Sequence, residues 1–258
     1  MTGLLVAEAR KVLSLRFWWV LGLAPLTVGL FSSALTVPTT SLVADNLEGE
    51  RSAADLAATL FGVGTALFVV VLFAAVFGAV NGGSEARYGT LTTTFATSGN
   101  RDRVVAAKLA VTAAVAAAYA IVVDVVCVGA LVAFGGGDVA FGGDLFTVLG
   151  LGVVLAIAWA WIGTGVVLVT GASVGTVVGL VVWYAFGELI VRAILAGLGI
   201  GGVADVLPVS ATLGTVVGAV TDGVDWLPGW PFAPLVVLFW TAVAVAAGWL
   251  RLRTRDIT

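Results

Sequence analysis

Long uncharged apolar segments separated by short charged ones set the pattern of this chain. Phe17 to about Thr36 is the first, with Pro38 just beyond it. Thr59 to Val80 carries no charge, and Val104 to Phe134 is interrupted only by Asp124. Leu145 to Gly187 runs for 43 residues without a charge. As helix that is about 65 Å, enough for two crossings of a roughly 30 Å hydrocarbon core. A tight turn must divide it, and Gly171-Ala172-Ser173 is the natural place. The predicted spans are therefore about 17–36, 59–80, 104–134, 146–170, 174–196 and 232–250, the last entered through Pro228, Pro231 and Pro234. Val206 to Thr221, in the outer loop 199–231, is apolar but too short to cross. Both its ends must stay on one side, so it is expected to form an interfacial or re-entrant helix.

Composition agrees. Of 258 residues, 60% are apolar and 10% charged, against about 25% charged in soluble domains, and mean hydropathy is +1.15. The expected fold is a single all-α transmembrane domain over residues 1–258. Ten of the twelve basic residues (Arg10, Lys11, Arg16, Arg87, Arg101, Arg103, Lys108, Arg251, Arg253 and Arg255) fall on one side of a six-span arrangement. Asp45, Glu48, Glu50, Asp55, Asp138, Asp144, Asp205, Asp222 and Asp225 fall on the other. Basic residues favour the cytoplasm, so both termini are placed inside, in a multi-pass protein of the plasma membrane. A cleaved signal peptide ending at Ser32-Ser33-Ala34 is the competing reading of the first segment. Its length and the even span count favour an uncleaved helix.

Candidate chemistry is sparse. The chain has no histidine, which removes His-dependent hydrolases, haem ligation and most zinc sites. Its one cysteine, Cys127, forms no internal disulfide. No metal or cofactor site is expected, and no nucleic-acid partner. Asp124, Glu188 and Arg192 are the ionisable residues inside apolar spans, where such groups default to functional candidates. Glu188 and Arg192, spaced i,i+4, share a helix face and can pair, either as a neutralised packing pair or as part of a gate or path. Asp124, about 24 Å along the helix from Lys108, is expected near the outer interface with partial solvation. Gly171, Gly175 and Gly179 offer a small-residue ridge for helix packing or a subunit contact. Trp18, Trp19, Trp226, Trp230 and Trp249 lie near span ends, as an interfacial belt does. No phosphate-cradling G-x-x-x-x-G-K-[ST] loop occurs, so nucleotide-driven work needs a partner.

The loop over 81–103 holds the most specific signal. Glu85-Ala86-Arg87-Tyr88-Gly89-Thr90-Leu91 is followed by Thr94-Phe95-Ala96-Thr97, Arg101 to Val105 and Ala106-Ala107-Lys108. Gly89-Thr90 can end one turn and cap a following helix. Arg101 and Arg103 can sit at headgroup level, meet an acidic partner, or serve only as topogenic charges. The order of acid, Gly-Thr pair and Arg…Lys stretch resembles the membrane-spanning permeases of type-2 ABC transporters. Ala7-Glu8-Ala9-Arg10-Lys11 with Arg16-Phe17-Trp18-Trp19 looks like the amphipathic approach helix of that family. Six spans, internal termini and a structured outer segment before the last span match it as well.

The resemblance implies a permease subunit, exporting by analogy, that has no ATPase activity of its own. ATP and Mg would belong to a separate ATP-binding-cassette subunit docked on Glu85, Arg87, Gly89, Thr90, Arg101 and Arg103. A second permease subunit, identical or not, would complete the path through the bilayer. Alternatives from other classes are a non-transport membrane scaffold or sensor component and a secondary transporter. The latter is disfavoured by how few ionisable residues lie inside the spans.

Overall fold

The computed structural model describes residues 2–44, 51–87, 89, 100–134, 142–221 and 223–254, with the side chains of 36–44, 51–60 and 86–87 left aside. The described residues are mostly helical, with no strand among them. In chain order the helices are α1 (Thr2–Ser14), α2 (Phe17–Ala44), α3 (Arg51–Arg87), α4 (Arg101–Phe134), α5 (Gly143–Thr170), α6 (Ser173–Val182), α7 (Glu188–Gly197), α8 (Pro208–Val220) and α9 (Phe232–Thr254). A π turn, Trp183–Gly187, joins α6 to α7 as one span, and a 3-10 turn, Gly201–Val206, leads to α8. Six helices are long and apolar enough to cross a membrane. The protein is an all-α membrane protein.

Helix ends follow local chemistry. Asn100 starts α4, its Oδ1 accepting the N–H of Asp102 at 3.0 Å and of Arg103 at 3.2 Å, as an N-cap does. The helix thus begins ahead of the expected 104. Gly171 ends α5 in the left-handed region (φ 72°), its N–H bonding Val167 O at 2.8 Å. A residue with a Cβ strains there, which is why the long apolar run breaks at this glycine. At Pro38 the structure departs from expectation, since α2 continues through it to Ala44. Proline removes one backbone N–H from the ladder, and the helix continues on either side of it.

The long helix α3 is the centre of the bundle, packed against α2, α4, α5 and α6. At 37 residues it is about 55 Å long and outreaches the hydrocarbon core. It meets α5 backbone to backbone: a Cβ on Gly78 would strike Ala160 O, and one on Gly163 would strike Ala75 O. Thr164 Oγ1 donates to Gly78 O across the contact at 3.1 Å. Small residues that let helices close in are the main source of adhesion in lipid. Within the chain the ridge of Gly171, Gly175 and Gly179 makes no such close approach at Gly175 or Gly179, with at most a single side-chain atom near a Cβ added there. At mid-bundle, Tyr184 packs between Phe68 and Trp159 with ring centroids 4.5 and 5.0 Å away. The Trp159 Nε1–H donates to Thr212 Oγ1 of α8 at 2.8 Å. Because Trp159 lies near the middle of α5, this bond puts α8 deep inside the bundle, as a re-entrant helix.

Candidate functional site

Helix α1 and the end of α9 lie at one end of the bundle, where each meets the start of α4. At this terminal face the sequence places charge on helix faces that must bury. Along α1, Glu8 and Val12 are buried and Leu5 and Ala9 pack toward the core. A carboxylate on such a face needs partners, and three other elements supply them. Lys11 Nζ lies 2.6 Å from both Glu8 Oε1 and Glu85 Oε1. Lys108 Nζ lies 3.2 Å from Glu8 Oε2 and 3.6 Å from Glu85 Oε2. Two carboxylates and two ammonium groups thus alternate in a closed ring. Lys108 also donates to Asn81 O at 3.4 Å, and the Asn81 amide donates to Thr112 Oγ1 at 2.9 Å.

Glu8, Glu85 and Lys108 are 2–4% exposed, and Lys11 closes the ring from the solvent side. The formal charge sums to zero, which is the condition for burying ions at all. Burial pulls the pKa of Lys11 down, but the hydrogen bonds to Glu8 and Glu85 outweigh it and hold the ammonium above its usual 10.5. The chain has only two lysines, Lys11 and Lys108, and both are in the ring. The ring ties α1 to the two ends of the 85–108 segment, Glu85 on α3 and Lys108 on α4.

The second edge of that segment is fastened to α9. Arg101 Nη1 donates to the carbonyls of Leu252 at 3.0 Å and Arg253 at 3.3 Å, a cation on the negative end of a helix. Asp102 accepts from Arg253 at 2.6 Å and from Trp249 Nε1 at 2.8 Å. The Arg253 guanidinium stacks on Trp249, 4.0 Å from its ring centre. Arg103 is exposed. Gly89 is exposed with φ 67° just past α3, a left-handed helix stop. Thr90 and the Arg87 side chain lie outside the described residues.

At the opposite end, Glu188 and Arg192 do not bond each other. Glu188 turns to α8, its Oε2 accepting from Val209 N at 2.7 Å and its Oε1 from Ser210 N. Leu207 offers this helix no side-chain cap and Pro208 no N–H, so a carboxylate from α7 caps it instead. Arg192 donates to Ser210 Oγ at 2.6 Å, reaches Asp205 at 3.6 Å and faces the Trp226 ring at 5.6 Å. The expected pair is split because the re-entrant segment offers each member a better partner. Asp124 is buried rather than partly solvated, 8% exposed with Oδ1 unbonded, since its face of α4 turns into the bundle.

Of the residues expected to matter, the structure brings Glu85 into the ring, joins Arg101 to α9, and gathers Glu188 and Arg192 at α8. Sequence reasoning missed Glu8, Lys11, Lys108, Asn81 and Asp102 as members of these clusters. A signal was present for Glu8, an acid on the apolar face of a short amphipathic helix. No group of three metal-ligating side chains forms among the described residues. No family model matches the chain, and no curated protein matches it in sequence.

Proposed function

We propose that the chain is the membrane-spanning permease subunit of an ABC-type exporter in the plasma membrane, with both termini cytoplasmic. In this reading the 85–103 segment docks an ATP-binding-cassette subunit, which holds ATP and Mg, and two permease subunits form the path. The observation that carries it is the charge ring. It fastens both ends of the segment to α1, so force applied to the segment reaches α1, α3 and α4 together. Arg101 and Asp102 extend the same connection to α9. A segment intended only as a topogenic signal has no need of buried ion pairs at its roots.

Among the described residues of this segment, Gly89, Asn100 and Arg103 are exposed points that a partner can touch. Photo-crosslinking from position 103 in native membranes should trap an ATP-binding-cassette protein. Reconstitution of the pair should make ATP turnover depend on this chain. Crosslinking that captures no such ATPase, together with turnover indifferent to this chain, sinks the reading.

A further inference from the structure

A cavity of about 460 Å³ opens at the terminal face, between the α1–α2 junction, α3 and α6. Its size falls in the roughly 300–1,000 Å³ range of small-molecule sites. One end is polar, holding Arg16, Ser84 and Ser173, and the rest is apolar, with Val80, Val174, Val177 and Val178 among its walls. Arg16 is exposed and makes no side-chain hydrogen bond or ion pair with the described residues. Its donors are therefore unused among the described residues and open to a ligand. Ser173 Oγ has no hydrogen-bond partner, so turning its O–H into the cavity breaks nothing. Ser173 is also the first residue of α6, and Ala172 before it provides no side-chain cap. The first backbone N–H groups of α6, at the partially positive end of the helix, are left for an acceptor.

Cation, free hydroxyl and open helix start gather at one end, and the valines lead away from them along α6 into the span. A ligand that satisfies both halves has an anionic head and a hydrocarbon tail. The place fixes its source: Arg16 immediately precedes the first apolar span, at the level of lipid headgroups. We propose that this cavity binds an anionic phospholipid from the leaflet at the terminal face, its phosphate on Arg16 and the start of α6 and an acyl chain along the valines. This goes beyond the permease reading and does not depend on it.

Native mass spectrometry of the full chain, released from vesicles of phosphatidylcholine with phosphatidylglycerol, tests it. One phosphatidylglycerol should stay bound through delipidation in preference to phosphatidylcholine. Arg16→Gln should lower that retention about tenfold, the usual worth of a hydrogen bond to a charged group. Arg16→Lys should restore most of it, and Arg10→Gln, an arginine outside the cavity, should leave it unchanged. Val177→Trp should reduce retention by filling the apolar half. Equal losses from Arg10→Gln and Arg16→Gln reduce the effect to general surface charge and overturn the site. Displacement of the lipid by excess inorganic phosphate overturns the lipid assignment in favour of a plain anion site.

Discussion

Lys108 shows how much one buried charge depends on its neighbours. It is 4% exposed, and its ammonium answers two carboxylates that are as deeply buried. Lys108→Met takes from Glu8 and Glu85 one of the ring's two cations, a loss worth about 3–5 kcal/mol of stability. Replacing Glu8, Lys11, Glu85 and Lys108 together by Met should cost far less, because no ion is then stranded. Chemical unfolding in lipid or mild detergent separates the two, and equal losses contradict the ring. Lys11 adds a pH signature. Its pKa is raised in the folded protein, so its contribution is complete below the unfolded value near 10.5 and disappears as pH climbs through the folded one. Stability measured upward from pH 10 should fall more steeply in the parent protein than in Lys11→Met. Glu85 and Lys108 were both visible in the sequence as loop residues, yet nothing in their spacing puts them on the same carboxylate–ammonium ring. That meeting is made by how α3 and α4 pack, which no local pattern encodes.

Between elements, the re-entrant helix is the clearest dependence. Without its own cap, α8 relies on Glu188 for two N–H groups and on Trp159, through Thr212, for its depth. Glu188→Gln keeps one acceptor oxygen and loses the charge at a helix start, and should destabilise the α8 segment by about 1–2 kcal/mol. Hydrogen exchange over residues 207–212 reads this directly, and unchanged protection there contradicts the cap. The presence of α8 was legible from its short apolar run between acids, and the turn at Gly171 from the length of the uncharged segment. The partner of Glu188 was not, because the i,i+4 rule ranks neighbours on one helix and says nothing of a second helix folded back against it. Pro38 misleads as well, since one missing N–H does not end the helix, which continues to Ala44.

For the molecule as a whole, the two ends differ in charge, and that asymmetry predicts orientation. Arg10, Lys11, Arg16, Arg101, Arg103, Lys108, Arg251 and Arg253 lie at the terminal face, while Asp144, Asp205 and Asp225 belong to segments at the other. Part of the terminal charge is spent internally, on the ring and on α9, but Arg10, Arg16, Arg103 and Arg251 have no side-chain partner among the described residues. By the rule that basic residues favour the cytoplasm, these cations predict that the terminal face lies inside. Cys127 is buried, so Cys127→Ala gives a clean background for single cysteines. In that background Ser14→Cys and Thr254→Cys, both exposed, should resist an impermeant maleimide on intact cells and react once the membrane is opened. Asp144→Cys and Asp225→Cys, exposed at the other end, should react at once. The reverse pattern would put the ring, Gly89 and Arg103 outside, away from any ATP-driven partner. The docking proposal would then fall while the fold and the charge ring stood unchanged.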